Sequence, residues 1–91
     1  MPGAATASIT VVYLARLREA FGVASERVAA TSPAITAGAL RATLAARGGI
    51  WATELAPGRA VRIAVNHALA NPDTPIRAGD EVALFPPVTG G

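Results

Sequence analysis

The sequence predicts an α+β domain in which a sheet of about four to five strands curls around one main helix. Three observations carry that reading. The chain opens on a β-branched and aromatic run, Ser8-Ile9-Thr10-Val11-Val12-Tyr13-Leu14, and closes on a second apolar run, Val82 to Phe85. Between them lies one well-signalled helix. Most of the segments are separated by glycine, proline, asparagine or aspartate, the residues that turn a chain.

Taken in order, Ile9, Val11 and Tyr13 share one face of the first strand, and Thr10, Val12 and Leu14 share the other. Both faces are largely apolar, which places this strand inside the sheet rather than at its edge. From Ala15 to Phe21 the spacing turns helical: Leu17 and Phe21 are four apart and share a face, and Gly22 stops the helix. Glu26 to Thr31 reads as a weakly patterned return strand. Ser32-Pro33 breaks the chain, and Thr36 then serves as an N-cap, with Ile35 before it and Leu40 after it placed as a hydrophobic staple. Leu40 and Leu44 line one face of a helix from about Ala37 to Arg47, which Gly48-Gly49 ends. Ile50, Trp51 and Leu55 form a further turn over the core. Beyond the Pro57-Gly58 turn, Val61, Ile63 and Val65 alternate with Arg62, Ala64 and Asn66, a strand with one wet face. Asn66-His67 turns the chain into a short return strand, Ala68 to Ala70. Asn71-Pro72-Asp73-Thr74-Pro75 reads as loop and Ala78-Gly79-Asp80 as a tight turn before the last strand.

Ninety-one residues make one domain with one modest core. The lack of cysteine removes disulfides, thiolate metal sites and a cysteine nucleophile. Met1 to Ala7 has neither the basic start nor the apolar core of a secretory signal, and no apolar run approaches the ~20 residues of a membrane span. A soluble, cytoplasmic protein with no membrane partner is expected, with residues 1–7 a flexible extension. All eight basic residues are arginine, and they are spread along the chain rather than clustered. Nucleic-acid binders gather their cations into a patch or stripe, so this spread and a net charge of +2 argue against a nucleic-acid partner and read as solvated surface groups.

The side chains offer no catalytic set. The one histidine, His67, sits at a turn, no metal-ligand spacing is present, and Asp73, Asp80 and Glu81 lie where carboxylates shape turns and end strands. No glycine-rich phosphate loop follows a strand. The end of the chain is different. Pro86 and Pro87 stop the last strand, and Val88-Thr89-Gly90-Gly91 follows, finishing on a carboxylate with no Cβ near it. Such an end passes through a channel that other residues would block. The six residues from Pro86 to Gly91 span at most about 20 Å, and the two prolines bias the base of the tail towards extension. A carboxylate accepts a nucleophile only once its oxygen becomes a leaving group, which adenylation by an ATP-using partner would provide. The expected division is therefore a flexible extension over 1–7, a domain over 8–85 and an inserting tail over 86–91.

The ending Gly79-Asp80-Glu81-Val82-Ala83-Leu84-Phe85-Pro86-Pro87-Val88-Thr89-Gly90-Gly91 resembles that of the small subunits of molybdopterin synthase, the MoaD-like sulfur carriers. Val12-Tyr13-Leu14-Ala15-Arg16-Leu17-Arg18-Glu19 with Gly22, and Ala64-Val65-Asn66, are similar to the same family. The resemblance covers Ile9 to Gly91. It implies a ubiquitin-like β-grasp fold with a mixed sheet, and a chain that is not an enzyme on its own. It also implies a mechanism: an adenylating, ubiquitin-activating-like enzyme uses ATP and magnesium to activate Gly91, a sulfur donor protein converts it to a thiocarboxylate, and the tail delivers sulfur to a cyclic pterin precursor within the large synthase subunit. The family's complex is a heterotetramer, and no cofactor or metal is bound by the small chain itself. The residues add a docking face, since Leu14, Leu69 and Phe85 are placed to form an exposed apolar patch beside the tail, with Arg18 a further partner contact. The alternatives are a carrier for thiamine, tRNA thiolation or cysteine synthesis, a modifier conjugated to lysines of other proteins, and a plain interaction domain with an idle tail.

Overall fold

The computed structural model describes residues 8–30 and 35–87. The expected extension over 1–7, the Ser32-Pro33 break and tail residues Val88, Thr89, Gly90 and Gly91 lie outside them. The chain runs β1 (Ser8–Tyr13), α1 (Ala15–Phe21), β2 (Ser25–Ala29), β3 (Ile35–Thr36), α2 (Ala37–Ala45), α3 (Gly49–Glu54), β4 (Arg62–Val65), β5 (Ala68–Ala70), β6 (Pro75–Ile76) and β7 (Glu81–Phe85). Five strands form a mixed sheet in the order β2-β1-β7-β4-β5. The first and last strands, β1 and β7, pair in parallel in its middle, and the other pairs are antiparallel. β3 and β6 form a separate two-stranded ladder.

Alternation decides the inner face. Ile9, Val11 and Tyr13 of β1, Ile63 of β4 and Val82 and Leu84 of β7 are buried. The helices meet them with Leu17, Ala37, Leu40, Leu44 and Leu55. Thr36 caps α2, its Oγ1 accepting from the Ala39 N–H at 3.1 Å, and Ile35 packs against the same core as Leu40. Gly22 closes α1 at φ 75°, a left-handed conformation that glycine adopts without a Cβ clash. Asn66 and His67 both take positive φ in the two-residue β4–β5 loop, the backbone of a tight hairpin turn. His67 is thus an exposed turn residue.

An aromatic cluster closes one end of the core. Phe21 and Trp51 stack with centroids 3.8 Å apart, and Tyr13 meets both rings edge-on. Arg47 lies 4.4 Å from the Trp51 ring centre and pairs with Glu26 at 2.8 Å. Glu26 also accepts from the Tyr13 hydroxyl at 2.6 Å.

Several boundaries differ from expectation. α2 stops at Ala45, and Gly48, at φ 81°, stands in front of α3 instead of ending α2. The turn expected at Ile50–Leu55 is the helix α3. β2 covers Ser25–Ala29 rather than Glu26–Thr31. Pro75, expected in a loop, belongs to β6, because two-residue strands carry too little pattern to be seen in a sequence. The arginines are not merely solvated. Arg47 stacks and pairs as described, and Arg41 donates to the carbonyls of Leu55, Ala56 and Arg59 at 2.7–3.0 Å.

Burial pushes the Tyr13 phenol well above its ordinary pKa, and the Glu26 carboxylate pushes it further, with Arg47 opposing. A raised folded value keeps this stability whole below the unfolded pKa of about 10 and loses it as pH rises beyond. Tyr13→Phe is expected to cost about 1–2 kcal/mol at pH 7 and to flatten the alkaline loss, as read by urea unfolding across that pH range.

Candidate functional site at the base of the tail

The strand β1 runs straight into Leu14, whose N–H donates to the Leu84 carbonyl at 3.1 Å. Leu14 is extended, so the alternation continues and its side chain falls on the outer face with Val12. That bond sets Leu14 beside Phe85 at the end of β7. The chain then reverses at Ala15, whose φ of 52° is left-handed and costs about 1 kcal/mol for a residue with a Cβ. The reversal sends α1 back across the inner side of the sheet.

On the outer face, Val12, Ala83, Ala64 and Leu69 fall in one cross-strand row, and Leu14, Phe85 and Arg62 fall in the next. Leu14 is 41% exposed and Leu69 71%, with Phe85 half-buried. The structure therefore puts all three expected patch residues on one face, with Leu14 and Phe85 adjacent. Leu69 stands two strands from Phe85, across the small side chains of Ala64 and Ala83. Val12, Ala64 and Ala83 were not anticipated as parts of this face. Alternation marks them, but only the register aligns them. Arg18 is exposed on α1, four residues on from Leu14.

Pro86 and Pro87 leave on the other side. They border a cleft of about 280 Å³ whose remaining walls are Arg16, Leu17, Glu54, Arg59, Ala60 and Val61. Glu54, 7% exposed, is the one buried charged residue among those described. Arg16 Nη2 donates to both of its carboxylate oxygens at 3.0 Å, and Arg59 Nη2 donates to Oε1 at 3.2 Å. The Arg16 bonds hold the Glu54 carboxyl below the ordinary carboxylate range, with the Arg16 and Arg59 charges assisting and partial burial opposing. Arg41 fixes the loop that presents Arg59 through its three carbonyl contacts. The sequence gives no local sign of this cluster, because its members come from α1, α3 and a loop. At the far end of β7, Asp80 accepts from the Arg77 N–H and the Asn66 amide, which keeps its carboxyl low, so this carboxylate shapes the turn as expected.

Among the described residues no group of three or more His, Asp or Glu side chains could hold a metal ion, and no helix is long and apolar enough to cross a membrane. Arrangement and topology together define a ubiquitin-like β-grasp domain. SAMP1 of Haloferax volcanii superposes with a TM-score of 0.76 at 27% identity, covering 92% of this chain and 99% of that one. The chain belongs to the ThiS family, whose profile matches residues 11–91. The molybdopterin synthase sulfur carrier subunit of Escherichia coli (strain K12) is 46% identical over 83 residues, 91% of this chain and 99% of that protein. A solved protein–protein complex of subunits 1 and 2 of the molybdopterin-converting factor of Helicobacter pylori contains a chain matching with a TM-score of 0.63 at 27% identity, covering 92% of this chain and 99% of that one.

The ion cluster predicts an asymmetry. Removing Arg16 and Arg59 together strands a buried carboxylate and is expected to cost about 3 kcal/mol. Glu54→Gln leaves two arginines that water can solvate and is expected to cost about 1 kcal/mol or less. The same Glu54→Gln change removes a contribution that is present above the unfolded carboxyl pKa of about 4.3 and lost as pH falls through the depressed folded value. Denaturant midpoints for both variants at pH 7 and pH 3 check the ordering.

Proposed function

We propose that this chain is the sulfur-carrying small subunit of molybdopterin synthase. The observation that carries the reading is its 46% identity to the E. coli sulfur carrier subunit, which extends over nearly all of both chains. The exit of the tail beside an apolar face agrees with it. In this mechanism the Gly91 carboxylate attacks the α-phosphorus of ATP on an adenylating partner, with magnesium, releasing pyrophosphate and leaving an acyl-adenylate. A persulfide on a donor protein displaces AMP, and a second thiol then cleaves the S–S bond of the acyl adduct, ending in a disulfide and leaving Gly91 as a thiocarboxylate. The tail, Pro86 to Gly91, then enters the large subunit. There the thiocarboxylate sulfur bonds to the cyclic pterin precursor towards a dithiolene, water cleaves the acyl C–S bond, and Gly91 returns to a carboxylate.

The chain's own part is to present that terminus. It contributes no acid, base or metal to the chemistry, which makes it the non-catalytic member of a cytoplasmic complex, a heterotetramer with the large subunit. The two glycines keep the path narrow, and Pro86 and Pro87 reduce the entropy lost on insertion. The face formed by Val12, Leu14, Ala64, Leu69, Ala83 and Phe85 is the docking surface, with Arg18 at its rim. A second reading, a modifier conjugated through Gly91 to lysines of other proteins, draws on the likeness to SAMP1, which is a small archaeal modifier protein. It predicts isopeptide-linked adducts in cells. The absence of lysine from this chain prevents self-conjugation through lysine under either reading.

Intact mass after incubation with ATP, magnesium, an adenylating partner and a sulfur donor should rise by the difference between sulfur and oxygen. Deleting Gly90 and Gly91 should abolish the rise. An unchanged mass, where a known carrier reacts, would falsify the carrier reading. Phe85→Ala should weaken binding to the large subunit about tenfold or more, as expected for an aromatic anchor, with undiminished affinity counting against the proposed face.

A further inference from the structure

The cleft behind Pro86 and Pro87 holds more positive charge than its one carboxylate can satisfy. Both bonds from Arg16 to Glu54 use Nη2, and the single bond from Arg59 also uses Nη2. A guanidinium carries five N–H donors over three nitrogens, and Nε and Nη1 of both arginines make no hydrogen bond among the described residues. Their side chains stay 59% and 44% exposed while Glu54 is buried beneath them. The cluster therefore carries a net charge of about +1 under linkage to an ionised Glu54. Across the sheet edge, Arg62 is exposed beside Phe85 and adds a further cation to this end of β7, while Asp80 and Glu81 lie at the opposite end. The one acidic residue of α1, Glu19, lies about one turn beyond Arg16.

Two features show that these donors are prearranged. Glu54 holds both guanidinium groups from below, and Arg41 anchors the Arg59 loop through three carbonyls. Side chains ordered in advance lose less entropy when they bind. The pair also sits on the side of the tail opposite the apolar face, because Phe85 points outward and Pro86 borders the inner cleft. A protein that swallows the tail must close around both sides.

We infer that Arg16 and Arg59 form a second, electrostatic docking contact, and that the large subunit receiving the tail places acidic side chains against their unused N–H donors. The inference rests on the proposed function. The apolar face supplies most of the buried area, while the arginine pair speeds encounter and fixes the angle at which the tail enters.

The test compares wild type with the triple variant Arg16→Gln, Arg59→Gln, Glu54→Gln, which keeps side-chain volume and leaves no stranded charge. Binding to the large synthase subunit is measured at low and at high salt, with thermal unfolding to verify that the variant is folded. An exposed ion pair is worth up to about fivefold in affinity. The triple variant is therefore expected to bind about tenfold more weakly at low salt, mainly through a slower on-rate, with the gap closing at high salt. Arg16→Lys with Arg59→Lys should recover part of the loss. Equal affinities at low salt overturn the inference, and so does a loss that persists unchanged at high salt, which marks lost packing. Wild type failing to bind the large subunit overturns the functional reading and this inference together, whereas normal wild-type binding with an indifferent variant overturns the inference alone.

Discussion

The parallel pairing of β1 with β7 is the constraint on which the rest of the molecule depends. Parallel neighbours cannot be joined by a hairpin, so the chain between Tyr13 and Glu81 has to cross over from the end of one strand to the start of the other. That excursion supplies the helices that cover the inner face, and its antiparallel strands dock on the outer sides of the central pair. The pairing also fixes where the tail begins. The register that sets Val11 against Val82 and Tyr13 against Leu84 brings Leu14 to Phe85 at the point where the chain leaves the sheet. A one-residue slip would turn Val82 and Leu84 outward and Phe85 inward, removing the core and the apolar face at once.

Arginine does more structural work here than the composition suggests. Arg47 joins β2 to α3 through Glu26 and Trp51, Arg41 holds the loop after α3, and Arg16 and Arg59 clasp Glu54. The planar fork allows these several simultaneous contacts, which an ammonium group could not match. A chain of this size buries little apolar surface, and its core is built mainly from leucine, isoleucine and valine. Multidentate bonds that tie α1 to α3, α2 to the loop after α3, and Arg47 to β2 limit the motion that such a core would otherwise permit. The tail base is thus held by a firm frame.

Among the described residues, three groups that could do chemistry are engaged in structure instead. His67 serves a hairpin, Asp80 serves a turn, and the buried Glu54 is engaged on both oxygens. Around Pro86 and Pro87 the fold sets an apolar face on one side and a charged cleft on the other.

By itself the sequence determined the elements whose signals are local. The β-branched run of β1, the Thr36 cap with its Leu40 and Leu44 stripe, the Gly22 stop and the Asn66-His67 turn each record a backbone or packing preference within a few residues. The fold class followed from them, and the resemblance of the ending pointed to the family. Tertiary structure alone decided what depends on residues far apart in the chain. The β3–β6 ladder is too short to pattern, and the cross-strand row of Val12, Ala83, Ala64 and Leu69 needs a register that no single strand encodes. Arginines that looked scattered along the chain were paired by the return of α3 and its loop to α1, because an ion pair forms between groups that the fold brings within reach, however distant in sequence.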